Sequence, residues 1–138
     1  MNWIMRRLER EIEKHKTNNP FEIAEKKSII IRYFPLGNTL GFYMKNARHQ
    51  VITLNSDNND HLMKFVCAHE LGHAVLHPDE NTPFLHKNTL FSKDKIERQA
   101  NYFAINLLIY DSDINAYQTK QEILREHGIP YDMEKYLG

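Results

Sequence analysis

The ten residues HELGHAVLHP, 69–78, carry three histidines at four-residue intervals, His69, His73 and His77. On an α-helix, residues four apart lie about 40° round the axis and about 6 Å along it, so two such imidazoles project side by side and can converge on one ion. His69 and His73 make that chelating pair. Zinc takes histidine nitrogen at about 2.0–2.1 Å, and a catalytic zinc keeps three protein ligands and an open position for water. Glu70 is turned about 100° from His69, where its carboxylate reaches that water without ligating the metal. The chemistry of such a set is amide hydrolysis. The metal acidifies the water, and the carboxylate accepts the proton during attack on a carbonyl and passes it to the leaving amine.

His77 fails the same test. It lies eight residues beyond His69, about 80° round and about 12 Å along, too far to share one ion on an unbroken helix. Ala74-Val75-Leu76 carries the helix into it without the glycine that turns the chain back in metzincin-type proteases. It is expected to cap the helix, to support a ligand or to pack. Cys67, about 200° from His69, faces the other way and reads as a small buried hydrophobe. Around the pentad, Leu62, Phe65, Val66, Cys67, Ala68, Leu71, Ala74, Val75 and Leu76 leave the helix apolar nearly all round. Two histidines and a glutamate buried there are costly unless paired or bound to a metal. Gly72 either admits a close neighbour, strand or substrate, or is an ordinary packing glycine.

A third metal ligand has to come from elsewhere, and the helical run IERQANYFAINLL offers Glu97. It shares a face with Ala100, Asn101 and Ala104, whose small side chains let this helix lie close to the first. An acid in an apolar stripe needs a reason, which a metal supplies; the alternative is that Glu97 complements the positive end of its own helix or pairs with a nearby base. His15, His49, His61, His86 and His127 read as loop or surface residues. Tyr102, Tyr110 and His77 are unranked candidates for stabilising an oxyanion.

The elements that position these residues can be read along the chain. A first amphipathic helix covers residues 2–16, with Trp3, Ile4, Leu8 and Ile12 near one face and Arg6, Arg7, Glu9, Arg10 and Glu13 solvated. Asn19, Pro20 and Glu22 announce a short second helix as cap, first turn and capping box. Three short strands follow in SIIIRYF, TLGFYMK and RHQVITLN, with Lys45-Asn46-Ala47 as the tight turn between the last two. Asp60 is the expected cap of the motif helix, residues 61–77. A loop over 78–91 leads to the helix at 93–109, whose apolar stripe is Ile96, Ala100, Phe103, Ala104, Leu107 and Leu108. Thr119 with Glu122, and then Gly128-Ile129-Pro130, suggest two short closing helices. The fold class is α+β: a small three-stranded, antiparallel-type sheet on a helical core, with a zincin-like active-site helix. At 138 residues one core is expected. It is divided into an N-terminal helix (1–17), a catalytic core (18–110) and a C-terminal helical segment (111–138).

Composition narrows the setting. Lys+Arg and Asp+Glu number 18 each, so the net charge is zero and nothing recruits nucleic acid or an anionic membrane. A single cysteine makes no internal disulfide, and MNWIMRRLERE turns to charge too early for a signal-peptide core or a membrane span. The expected compartment is the cytoplasm.

HELGHAVLHP followed by ERQANYFAINLL, and preceded by NPFEIAE and the strands, resembles the ImmA/IrrE family of zinc-dependent metallopeptidases over roughly residues 18–137. The resemblance implies zinc held by His69, His73 and Glu97, one ion per chain, with Glu70 as catalytic base. Several members are encoded by phages and mobile elements and cleave a helix-turn-helix repressor, which implies a repressor as protein substrate here. A catalytically silent copy that sequesters a repressor is the rival reading, disfavoured because all four residues are present. DNA binding by TKQEILREHGIPYDMEKYLG is disfavoured by charge: Lys120, Arg125 and Lys135 are outnumbered by Glu122, Glu126, Asp132 and Glu134. Manganese or iron could also occupy a site of two histidines and a glutamate. The sheet edge could take an extended peptide, and the 78–91 loop, with Pro78, Pro83, Phe84 and Leu85, could act as a lid or docking surface.

Overall fold

The computed structural model runs α1 (Asn2–His15), α2 (Pro20–Lys26), β1 (Ile30–Phe34), β2 (Thr39–Asn46), β3 (His49–Asn55), α3 (Asp60–Leu76), β4 (Leu85–His86) and α4 (Lys95–Leu108). It describes residues 2–80, the backbone of 85–86, residues 94–110, and positions 122, 124, 125 and 129. Local polar signals set where the helices begin. Asn19 caps α2 as its place before Pro20 predicts, accepting from the N–H groups of Phe21 and Glu22. The cap of α3 falls one residue earlier than expected: Asn59, not Asp60, has extended backbone angles and accepts from the Leu62 N–H at 2.9 Å. Asp60 becomes a first-turn acid, favourable at the positive end of the helix.

β2 and β3 form the expected hairpin with a displaced turn. Asn46 pairs with His49 and Lys45 with Gln50, so the loop residues are Ala47 and Arg48. Ala47 takes φ 55°, because a two-residue hairpin loop needs positive φ to match the twist of its strands. The sheet is mixed. β1 lies parallel to β3, from Ile30↔Val51 to Phe34↔Asn55, and β4 pairs antiparallel with β2, giving the order β1-β3-β2-β4. β3 is therefore an inner strand and buries Ile52 through Asn55. The two-residue β4 lies within the segment expected as a continuous loop, of which 81–84 and 87–91 are outside the described residues. β1 is an outer strand and leaves Ile30, Tyr33 and Phe34 exposed.

α3 is the centre of the packing, with α4 on one side, β2 and β3 on another, and α2 against it as well. The approach to the sheet depends on Gly41 of β2, where a Cβ would stand 2.8 Å from Val66 Cγ1 and 2.9 Å from the Thr53 carbonyl oxygen. α4 buries Ala100, Phe103, Ala104, Leu107 and Leu108 as its stripe predicts. α1 buries Ile4 and Leu8, but Trp3 is 41% exposed. Its lower turn instead buries Glu11 and His15, and the Lys27 ammonium donates to the Glu11 carboxylate at 3.0 and 3.2 Å. His15, expected at the surface, is buried because α1 docks its C-terminal end on α2, with Lys26 Nζ donating to the His15 carbonyl.

Within 111–138, where two closing helices were expected, most residues lie outside those described; Leu124 and Ile129 join the common apolar core. Among the described residues no helix is long and apolar enough to cross a membrane.

Candidate metal centre

Because α3 is covered on both sides, the polar residues of its pentad are sealed in: His69, Glu70 and His73 are all at most 1% exposed. The neighbour admitted by Gly72 is a helix. A Cβ there would meet Phe103 Cδ1 at 3.2 Å and the Cα and carbonyl oxygen of Ala100 at 3.3 Å, so the glycine lets α4 approach the turn between the two histidines. That approach brings Glu97, in the first turn of α4, onto the pair. Its Oε2 is 3.1 Å from His69 Nε2 and its Oε1 is 2.9 Å from His73 Nε2, while the two Nε2 atoms are 3.2 Å apart. Glu97 thus occupies the helix end that favours an acid and faces both histidines as well.

Each imidazole is held from behind. His69 Nδ1 is 2.8 Å from the Asn101 side-chain oxygen; His73 Nδ1 is 3.4 Å from His77 Nδ1, whose other nitrogen is 2.6 Å from the Gln99 side-chain oxygen. Asn101 and Gln99 are buried. In the sequence Asn101 reads only as a small side chain and Gln99 draws no reading, although polar residues two and four positions after Glu97 on a buried helix are a usable signal. His77 also caps α3, its N–H bonding the His73 carbonyl. Cys67 is buried, and burial, with the Glu70 charge, pushes its thiol pKa up. Tyr102 is partly buried and Tyr110 exposed.

The electrostatics are those of crowded groups out of water. Burial opposes ionisation of Glu70 and, reinforced by the Glu97 charge, pushes its pKa up to about 8. Burial also opposes charge on His73, which falls to about 4. At His69 the same burial is outweighed by the Glu97 hydrogen bond and the two neighbouring carboxylates, so its pKa rises. Glu97 is depressed, because its hydrogen bonds to both histidines overcome its own desolvation.

Three observations fit a metal ion. A tetrahedral ion with bonds of about 2.0–2.1 Å sets its ligands about 3.3 Å apart, close to the 2.9–3.2 Å separations of the two Nε2 atoms and the Glu97 oxygens. When neutral, with its Nδ1 proton given to Asn101, His69 presents its Nε2 lone pair to the Glu97 carboxylate, an arrangement that either a cation between them or a second proton on the ring satisfies. Both oxygens of the buried Glu70 carboxyl have no hydrogen-bond partner among the described residues, although His69, Glu70 and His73 each offer an atom within 4.8 Å of the others. An orphaned buried carboxyl of this kind suits a site that handles water beside a cation.

An α+β fold with this pentad on a buried helix, and a carboxylate delivered by a second helix, defines the metallopeptidase class. Residues 24–136 match the peptidase M78 family, described as the IrrE N-terminal-like domain, and the chain belongs to that family. It is 41% identical over 131 residues to a Bacillus phage phi105 protein described as an uncharacterized immunity region protein 2, covering 91% of this chain and 83% of that one. It is 33% identical over 112 residues to metallopeptidase ImmA of Bacillus subtilis (strain 168), covering 81% of this chain and 66% of that one.

Proposed function

We propose that the chain is a zinc-dependent endopeptidase of the cytoplasm that cleaves a helix-turn-helix transcriptional repressor and so releases phage or mobile-element genes. The observation that carries the catalytic part is the buried carboxyl of Glu70, without a hydrogen-bond partner among the described residues, beside the convergent nitrogens of His69 and His73. In this reading His69, His73 and Glu97 hold one zinc per chain. A bound zinc supplies Lewis acidity to water and to the scissile carbonyl. Glu70 takes the proton of the attacking water and delivers it to the leaving amine nitrogen. Asn101 keeps His69 turned towards the centre, and the packing of α3 against α4 buries both histidines and Glu70.

The repressor substrate is supported by the family resemblance and by the phage immunity-region relative. Selectivity needs a docking surface, and the outer strand β1 supports one: Ile30, Tyr33 and Phe34 are exposed there, and a cleft of about 470 Å³ opens beside them between Phe21, Glu25 and Ser28. An extended segment can add to such an edge through main-chain hydrogen bonds.

The test mixes zinc-loaded protein with the repressor encoded beside its gene, or with unfolded casein, and reads products by mass spectrometry. One or a few cuts in the repressor, absent with Glu70→Gln, are expected. Rapid casein cleavage with the repressor intact would indicate a general peptidase; stable binding of uncut repressor by wild type would indicate a sequestering protein.

A further inference from the structure

We propose that Gln99 and His77 form a proton-fixing relay that prepares His73 as a ligand, an inference that rests on the metal-centre reading above. The side-chain oxygen of Gln99 can only accept, and it lies 2.6 Å from His77 Nε2, so that nitrogen carries the proton. A neutral His77 then has its lone pair on Nδ1, which faces His73 Nδ1 at 3.4 Å. His73 donates from Nδ1, and its Nε2 lone pair is left directed at Glu97 and His69.

The opposite setting does not work. With the Gln99 amide reversed, its NH₂ would donate to His77 Nε2, His77 would donate from Nδ1, and His73 would have to accept there. The His73 proton would then sit on Nε2, at the point where the three ligand atoms converge. The orientation of one amide on α4 thus decides whether His73 offers a lone pair or a proton to the site.

The two histidines are treated alike by different means. Asn101 accepts from His69 directly, whereas His73 is reached through one intervening imidazole. Within five residues, α4 supplies Glu97 to the centre and Gln99 and Asn101 behind the rings. His77 suits the intermediate role because its backbone N–H still bonds the His73 carbonyl at 2.8 Å, which holds it in register four residues on. Gln99 is 8% exposed, and its oxygen would be a costly buried acceptor without this bond. Gln99 and His77 are positioning residues: they act on the centre only through His73.

Partners of this kind typically change metal affinity by about 10–100-fold when removed. The test uses the full chain in three forms: wild type, Gln99→Met, which keeps the length and loses the acceptor, and Gln99→Glu, which keeps an acceptor. Zinc affinity is measured by competition with a chromophoric chelator. The His77 tautomer is read from its ¹⁵N imidazole shifts in the zinc-loaded protein at mildly alkaline pH, where imidazoles are neutral. We expect His77 to be protonated on Nε2 in wild type, zinc affinity to fall about 10–100-fold in Gln99→Met with loss of that fixed tautomer, and Gln99→Glu to restore both. Equal zinc affinity in wild type and Gln99→Met, or a His77 protonated on Nδ1 in wild type, overturns the relay. Failure of wild type itself to bind zinc overturns the metal-centre reading instead.

Discussion

Replacing Gly72 with alanine sets a local gain against a geometric strain at the centre of the molecule. Alanine is favoured over glycine by about 0.8–1.0 kcal/mol inside a helix, and Gly72 does not have the positive φ that would reserve the position for glycine. The added Cβ, however, would lie 3.2 Å from Phe103 Cδ1 and 3.3 Å from two backbone atoms of Ala100. Phe103 is fully buried and the Ala100 atoms belong to the helix itself, so neither can swing aside. Restoring carbon contacts of about 3.5–4.0 Å requires α4 to withdraw by roughly 0.3–0.5 Å. Overpacking of this sort costs about 1–3 kcal/mol, so the net loss of fold stability is about 0–2 kcal/mol. The larger consequence falls on Glu97, one turn before Ala100, whose oxygens stand 3.1 and 2.9 Å from the two histidines. Metal–ligand distances at a genuine site lie within about 0.2 Å of their standard values, a window that a withdrawal of this size exceeds. Zinc affinity should therefore fall at least about tenfold, equivalent to roughly 1.4 kcal/mol, in addition to the change of about 0–2 kcal/mol seen on unfolding in chelator. Competition titration and denaturant unfolding measure the two quantities. A Gly72→Ala protein stabilised by nearly the full helix-propensity gain, with zinc affinity unchanged, would refute the claim that this contact sets the α3–α4 distance.

The other predictions probe separate parts of the same construction. In metal-free protein the Glu70 pKa is raised from 4.5 to about 8; folding then favours the protonated carboxyl, and stability is lost as pH rises from 4.5 towards 8. At pH 7 that penalty is on the order of 3 kcal/mol. Glu70→Gln should be the more stable form in chelator by a margin that widens between pH 5 and 7, and a margin independent of pH in urea unfolding would contradict it. Under saturating zinc, metal analysis should find about one ion per chain in His77→Ala and a large loss in His73→Ala; equal losses would remove the ligand assignment. Gly41→Ala should destabilise the fold by about 1–3 kcal/mol, as its Cβ meets Val66 and the Thr53 carbonyl. Thermal unfolding at unchanged helical content is the check, and a neutral result would show that α3 and β2 can separate at no cost.

The residues that converge at the centre were legible in the sequence because their arrangement is helical and local. His69, Glu70 and His73 are separated by one turn, and Glu97 stood out as an acid on a stripe otherwise apolar. Gln99 and Asn101 were less legible because a polar residue on a helix is solvated by default, and only the rotation and closeness of α4, permitted by Gly72 and Ala100, buries them. The strands could be read from their residue types, but the parallel partnership of β1 with β3 joins segments some twenty residues apart, and no local pattern encodes it. The hairpin turn moved to Ala47-Arg48 because pairing across the strands outweighed the usual aversion of alanine to positive φ. Trp3 and Ile4 are adjacent, so only one can point fully inward, and the face continues through Leu8, Glu11 and His15 instead.

The site and the core are one object here, which ties metal binding to folding. α3 touches the sheet, α2 and α4, and the same helix carries the two buried histidines and Glu70. Without a cation, that burial favours the protonated form of Glu70, and the Glu97 carboxylate favours a proton on His69. A cation held by His69, His73 and Glu97 would take over the role of those protons. By linkage, free zinc at about 1,000 times its dissociation constant adds about 4 kcal/mol to stability, a substantial part of what a domain of this size possesses. Any change that loosens α4 from α3 then weakens both terms together, whereas a change confined to the sheet edge leaves zinc affinity intact. The ratio of zinc affinity lost to metal-free stability lost therefore distinguishes residues that shape the centre, such as Gly72 and Gln99, from those that only support the fold.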